Sequence, residues 1–325
     1  MKTHPLRRCY TLLLVFILSA ISTALGAQTS KSPSESSTFS ILFENDLFGD
    51  TDQQYTNGVQ VSWEVPDLTR YADAERLPAW LLPIVAHLPW INEPDTQRNV
   101  GFSIGQKIFT PNNTQSSDLV ADDRPYAGWL CGGLSFTSKT HQRMDRFEFQ
   151  FGVIGPAAQG EEAQNFVHDL RDLPKTRGWS HQLKNEPGLA LIYERKWRPL
   201  TSSNENGIGY DIITHAGGAI GNVFVYANAP TTVNDPRLAN TQAYGCYVFA
   251  AVTSRLVGRD IFLDGNTFTD NHEVDKEIVV GDLIVGGSVV FRRYKLSYAQ
   301  VFRSREFEGQ RDKPNFGSVS LSITF

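Results

Sequence analysis

The sequence predicts an all-β chain: a transmembrane, antiparallel, up-and-down β-barrel of twelve strands with short helices in its loops. Three observations carry that expectation. Segments of alternating apolar and polar residues recur to the end of the chain, and aromatic residues gather near their ends. The last segment, Val319-Ser320-Leu321-Ser322-Ile323-Thr324-Phe325, alternates strictly and closes on a terminal Phe. A strand with one face on lipid and one on a polar lumen alternates in this way, and aromatic girdles mark the two interfaces of a barrel. The competing fold is a soluble sandwich or barrel.

Taken in order, residues 1–27 read as a signal peptide. Lys2, Arg7 and Arg8 form its positive end, residues 10–21 its apolar run, and Ala24-Leu25-Gly26 a small-residue cleavage site. The run is shorter than the ~20 apolar residues of a membrane-spanning helix, so the mature chain is expected to be exported. The formal charge is −5, and losing three basic residues with the signal makes the mature chain more acidic still. That argues against nucleic acid as a partner. Of the three Cys, Cys9 leaves with the signal. Cys131 and Cys246 lie in strand-like stretches and read as buried free thiols rather than a bridge.

Residues 28–37 form a polar, Ser-rich lead-in, and residues 38–325 the barrel. Strands are expected at 38–44, 59–65, 100–109, 127–136, 146–153, 188–197, 209–216, 222–227, 243–263, 273–291, 294–302 and 316–325. Phe43, Tyr55, Trp63, Phe109, Tyr126, Trp129, Trp197, Tyr226, Tyr294 and Phe302 supply the girdles. With an even strand count and both termini on one side, the connections 45–57, 110–126, 155–186 and 264–272 share the outer rim. On the opposite side, residues 254–259 are either a connection or a bend within one strand. Residues 66–97 are long, and within them 77–90 are apolar, with Trp80 and Trp90 flanking Pro83 and Pro89. They read as one or two short helices lying at the membrane interface or plugging the barrel mouth, with His87 a structural residue.

Two stretches could carry chemistry. Residues 43–58 pack Glu44, Asp46, Asp50 and Asp52 with Asn, Gln and Thr around Gly49. Oxygen donors at this density suit a hard cation such as calcium; the alternative is a polar hairpin turn. The spacing is not that of an EF-hand. In residues 155–186, Gly155-Pro156 ends a strand and 160–173 has helical composition with acids at its start. Gln164 and His168 lie one turn apart on that helix and so face the same way, while Ala163, Phe166, Val167 and Leu170 make its apolar side. A His beside an amide near an acidic loop is a candidate general base; the plain alternative is a surface His.

Four pieces, in order, resemble the outer-membrane lipid A 3′-O-deacylases of the LpxR family. They are Asn45-Asp46, Tyr55-Thr56-Asn57-Gly58, residues 123–127 (Asp-Arg-Pro-Tyr-Ala), and Ile154-Gly155-Pro156 followed by Gln164-Asn165, His168 and Trp179. The resemblance spans roughly residues 38–325. It implies a calcium-dependent hydrolase that removes an ester-linked acyl chain from lipid A of lipopolysaccharide. That places it in the outer membrane of a Gram-negative bacterium, among outer-membrane lipids, with its site facing the outer leaflet and the protein a monomer. Asn45, Asp46 and Thr56 match the family's calcium and active-site positions, and Gln164 and His168 its helix pair, His168 activating water. Two departures stand out. The family can carry a Lys in the loop after the third strand, whereas residues 110–114 have none and Arg124 is the next cation along the chain. The family also has an acid a few residues after the His, where this chain has Pro174. Two other readings remain open. One is a phospholipase-like barrel with a Ser nucleophile, although Ser135, Ser180 and Ser202 lack the Gly-x-Ser-x-Gly context. The other is a barrel with a structural or transport role and no enzymatic activity.

Overall fold

A computed structural model describes residues 36–45, 54–65, 79–203, 209–233 and 244–325. The expected signal peptide, most of the lead-in, and Asp46 lie outside the described residues. The strands are β1 (Thr38–Asn45), β2 (Gln54–Glu64), β3 (Gln97–Thr110), β4 (Ala127–Lys139), β5 (Arg143–Ile154), β6 (Glu186–Ser203), β7 (Gly209–Gly221), β8 (Phe224–Asn228), β9 (Thr231–Val233), β10 (Tyr244–Asp260), β11 (Val279–Phe291), β12 (Tyr294–Arg303) and β13 (Asn315–Thr324). Apart from β8 and β9, sequential strands pair antiparallel, and β13 pairs with β1 to close the barrel. Both β8 and β9 lie between β7 and β10. They are one barrel strand broken at Ala229-Pro230, where Pro has no N–H to give the ladder. The closed barrel thus has the twelve strands expected.

The termini meet across the seam. Thr38 pairs with Thr324, and Ser37 and Phe325 exchange backbone hydrogen bonds of 2.8 and 2.9 Å. Alternation works as expected on the wall. Phe102, Ile104, Phe151, Leu189, Ile220 and Val248 are exposed on the outer face, a surface suited to lipid. Charged residues such as Arg146, Glu148 and Glu194 take the opposite parity and face the lumen, where Arg146 pairs with Glu148 and Lys196 with Glu194.

At the rim away from the termini the lumen is plugged. Phe109 of β3, Ile154 of β5, Val301 of β12 and Phe316 of β13 join one buried cluster with Phe262. Residues from strands so far apart around the wall can meet only inside it. Phe262 belongs to a helical turn, α3 (Ile261–Asp264), which is numbered here after α1 (Leu82–His87) and α2 (Gly160–Leu170). The Asp260 side chain caps α3 by accepting from the Phe262 N–H at 3.0 Å.

Several expectations are corrected. Residues 261–263 are this turn rather than strand, and the strand expected from residue 273 starts at Val279. Of the two readings of residues 254–259, the bend within one strand holds: they lie in β10, whose register shifts between Val257 and Arg259. Phe109, Tyr126 and Trp129 are buried, not girdle residues, whereas Trp63, Trp197 and Phe302 are exposed as a girdle requires. Both thiols are free, but Cys246 is exposed and Cys131 only half-buried.

The apolar segment around α1 does not plug the barrel. Leu81, Val85 and Ile91 pack on Val100, Phe136 and Phe147 of neighbouring strands, on the outer face of the wall. Arg195 stacks on Trp90 with its guanidinium 4.9 Å from the ring, and Arg143 pairs with Glu93. Trp80, Ile84 and Trp90 remain exposed. Of the two arrangements expected, this is the interfacial one.

Candidate active site

The second long connection also folds back on the wall, at the rim opposite the termini. Ile108 of β3 has the parity of exposed Phe102 and Ile104, yet it is buried in a cluster with Tyr126, Ala163 and Trp179. Helix α2 therefore covers the outer face of β3 and β4. Gln106 ties it down, donating from Nε2 to the carbonyls of Ala158 (2.6 Å) and Gln159 (3.2 Å). Two glycines permit the close approach. A Cβ on Gly160 would lie 2.7 Å from the Trp179 ring, and one on Gly178 2.4 Å from the Tyr126 ring.

The helix starts after Gln159, which is left-handed (φ 55°), with Glu161 and Glu162 in its first turn, where the macrodipole favours acids. It ends in a turn with Asp172 at φ 54°, and the Leu173 N–H returns to the His168 carbonyl at 2.9 Å, a Schellman-like stop. The face turned to the wall is not the mainly apolar one. Gln164 (1% exposed) and His168 (3%) are buried with Ala163, while Phe166 (52%) and Leu170 (75%) point away. On a membrane barrel the medium beyond such a helix is itself apolar, so a polar face gains by turning inward. His168 is accordingly no surface residue.

His168 Nδ1 lies 2.7 Å from the Pro174 carbonyl oxygen. A carbonyl can only accept, so Nδ1 carries the hydrogen and the neutral ring keeps its lone pair on Nε2. Pro174, the position that departs from the family's acid, thus orients the ring through its backbone. Gln164 is fixed in a similar way. Trp179 Nε1–H donates to Gln164 Oε1 at 2.9 Å, and the Thr176 hydroxyl reaches the same oxygen at 3.4 Å. Indole donates only, so the carboxamide orientation follows. Gln164 Nε2 is left buried with no hydrogen bond within the protein.

Asn45, the last residue of β1, is buried (3%). Leu321 and Val59, exposed on the outer face, pair with Ile41 and Phe43, so parity puts Asn45 on that face too. Backbone register runs from Asn45 to Asn57 of β2 and on to Ile108 of β3 beneath helix α2. Asn45 is thus two strand spacings, roughly 10 Å, from the row that the helix covers. Thr56 is the extra residue of a β2 bulge, where the register shifts between Tyr55 and Asn57. Bulges are frequent beside active sites. The Thr56 side chain and the whole of Asp46 lie outside the described residues. The backbone thus brings Asn45, Gln164 and His168 to one side of the wall, with the Thr56 backbone in the strand between them.

Arg124 does not join them. It is buried in an ion pair with Glu306 at 2.7 Å, between the rings of Phe109 and Phe307. Burial alone would raise the Glu306 carboxyl, but Arg124, with Arg303 and Arg255, outweighs it and holds the group down at about 2. Asp123 is equally structural, accepting from the backbone N–H of Asn112 (2.7 Å) and of Arg124 (2.8 Å). Sequence reading passed over Thr176 and Glu306. Nothing local marks either, because their partners lie 12 and 182 residues away.

Beside Trp179 a groove of about 720 Å³ opens on the same rim. Arg177, His181, Lys184 and His272 line it, with Glu161 the one acid.

The family model for outer membrane protein LpxR matches residues 12–325. Among solved structures, LpxR from Salmonella typhimurium aligns with a TM-score of 0.71 at 21% identity, covering 89% of this chain and 100% of that one. The translocator domain of autotransporter NalP from Neisseria meningitidis aligns with a TM-score of 0.37 at 9% identity (98% and 96% covered). The transport unit of autotransporter AIDA-I from Escherichia coli gives 0.33 at 11% (94% and 96%). Comparison with curated protein sequences gave no match. The chain belongs to the outer membrane protein LpxR family.

Proposed function

We propose that this protein is a calcium-dependent lipid A deacylase that hydrolyses a 3′-O ester-linked acyl chain of lipopolysaccharide in the outer leaflet, with His168 as general base. The observation that supports this most is the inverted helix. A buried His with Nε2 as its basic nitrogen sits against a lipid-facing wall, beneath Phe166 and Leu170. An acyl ester held in a membrane reaches such a site sideways, without leaving the lipid. The cationic groove beside Trp179 suits the phosphates of a lipid A headgroup.

In the reaction, water gives a proton to His168 Nε2 while its oxygen attacks the ester carbon. The carbonyl π pair moves onto oxygen. Collapse of that oxyanion breaks the C–O bond to the sugar, and the departing alkoxide takes the proton back from Nε2, leaving a carboxylic acid and a sugar hydroxyl. No covalent enzyme intermediate is needed.

Calcium fits the donors offered. Asn45 ends β1 where an oxygen-rich stretch begins, and an amide with carboxylate and hydroxyl oxygens is a hard-cation set. Asn45, Asp46 and Thr56 would hold the ion, which when bound supplies polarisation of the ester carbonyl. A Ser–His phospholipase fits less well. Ser135 has the lumen-facing parity of β4, and Ser202 lies at the end of β6 near the terminal rim; only Ser180, beside Trp179, shares the rim of His168.

Mass spectrometry of lipid A from cells with and without the protein tests the proposal. Loss of one ester-linked acyl chain only when the protein is present is expected. Unchanged lipid A, with the barrel folded in the membrane and calcium supplied, counts against it.

A further inference from the structure

We infer that Gln164 is the side chain that donates to the developing oxyanion, and that Trp179 and Thr176 are positioning residues that fix it for that role. The inference rests on the deacylase reading and names a group within the same site.

The argument starts from an imbalance in one carboxamide. Gln164 is 1% exposed. Its Oε1 is served twice, by the Trp179 indole at 2.9 Å and the Thr176 hydroxyl at 3.4 Å, while its Nε2, with two N–H donors, makes no hydrogen bond within the protein. Leaving a buried donor unmade is costly, and simple packing would remove that cost by placing an apolar residue there. The indole N–H also lies 2.9 Å from the Thr176 oxygen, so Trp179, Thr176 and Gln164 form one closed triangle. Rotating the amide by 180° would set N–H against N–H. The triangle therefore does more than hold the side chain: it determines which end of the amide is free.

The free end belongs to the same buried helix face as His168. Gln164 and His168 are one helical turn apart on the buried face of α2, about 6 Å between Cβ atoms. That span fits a water on His168 Nε2, the ester carbon it attacks, and the carbonyl oxygen beyond. Arg124 is held by Glu306 within the plugged rim and cannot take this place.

The test is steady-state deacylation by the purified, calcium-loaded barrel, with heat-modifiable mobility as a folding control. Gln164→Met keeps length and removes the donors. It is expected to lower kcat by about 10²–10³, as removal of an oxyanion donor does, with KM and the acid limb of the pH profile unchanged. Trp179→Phe removes only the indole donor. It is expected to lower kcat by roughly tenfold in an otherwise native protein and to have no further effect in the Gln164→Met background. A structural role for Trp179 would lower activity in both backgrounds alike and would overturn its part of the inference. Gln164→Met within threefold of an active wild type overturns the inference while leaving the deacylase reading intact. A wild type that releases no acyl chain removes both.

Discussion

The two helices packed on the outside of this barrel make opposite use of the same surface. Helix α1, near the terminal rim, buries Val85, with Leu81 and Ile91 beside it, against apolar wall residues. Helix α2, at the other rim, buries Gln164 and His168 and presents Phe166 and Leu170 outward. Each carries a His whose Nδ1 meets a proline carbonyl, His87 with Pro83 at 2.6 Å and His168 with Pro174 at 2.7 Å. Yet His87 is exposed and His168 buried. The hydrogen bond is therefore not what distinguishes a candidate base. Burying it with a second polar side chain against a lipid-facing wall is, because that placement costs desolvation and gives no packing advantage that an apolar residue would not give. The α1 arrangement follows ordinary packing and reads as an anchor; the α2 arrangement departs from it and reads as a site.

The contrast can be broken in order of expected effect. Calcium removal comes first: a chelator should reduce deacylation to background, and Asp46→Asn should weaken calcium binding in a calorimetric titration as well as activity. Full activity in excess chelator would remove the ion from the account. Next comes the anchor. Ile91→Ala deletes a fully buried side chain of the α1 segment and should cost about 2 kcal/mol or more of stability, seen as a lower unfolding temperature in detergent. Turnover by the protein that remains folded should stay at the wild-type level. A fall in turnover without a change in stability would mean that the terminal rim takes part in the chemistry.

How much of this was legible in the sequence follows from the range of the interactions. Strands are set by side chains two residues apart, and alternation located all twelve. The exceptions were chain breaks such as Pro230 and ends such as 261–263, where Asp260 caps a turn. The terminal strand was equally plain, since its pattern runs to Phe325. The pairing of Gln164 with His168 was readable from helical spacing. Which face of that helix would be buried was not. The usual rule hides Phe166 and Leu170, and it inverts on an outer wall that the local sequence does not announce. The roles of Pro174, Thr176 and Trp179 depend on a loop doubling back on the helix, and the burial of Arg124 on Glu306 from the last outer connection. Contacts of that kind leave no local pattern.

The most direct measurement of the central claim compares His168→Ala with His87→Ala in one assay, as initial rates of acyl release by purified barrels of confirmed heat-modifiable fold. Loss of a general base costs about 10²–10⁴ in rate, so His168→Ala should fall by at least a hundredfold while His87→Ala stays at the wild-type rate. If His168→Ala keeps more than about a tenth of wild-type turnover, well outside that range, the base lies elsewhere and the buried polar face of helix α2 is not the site of the chemistry.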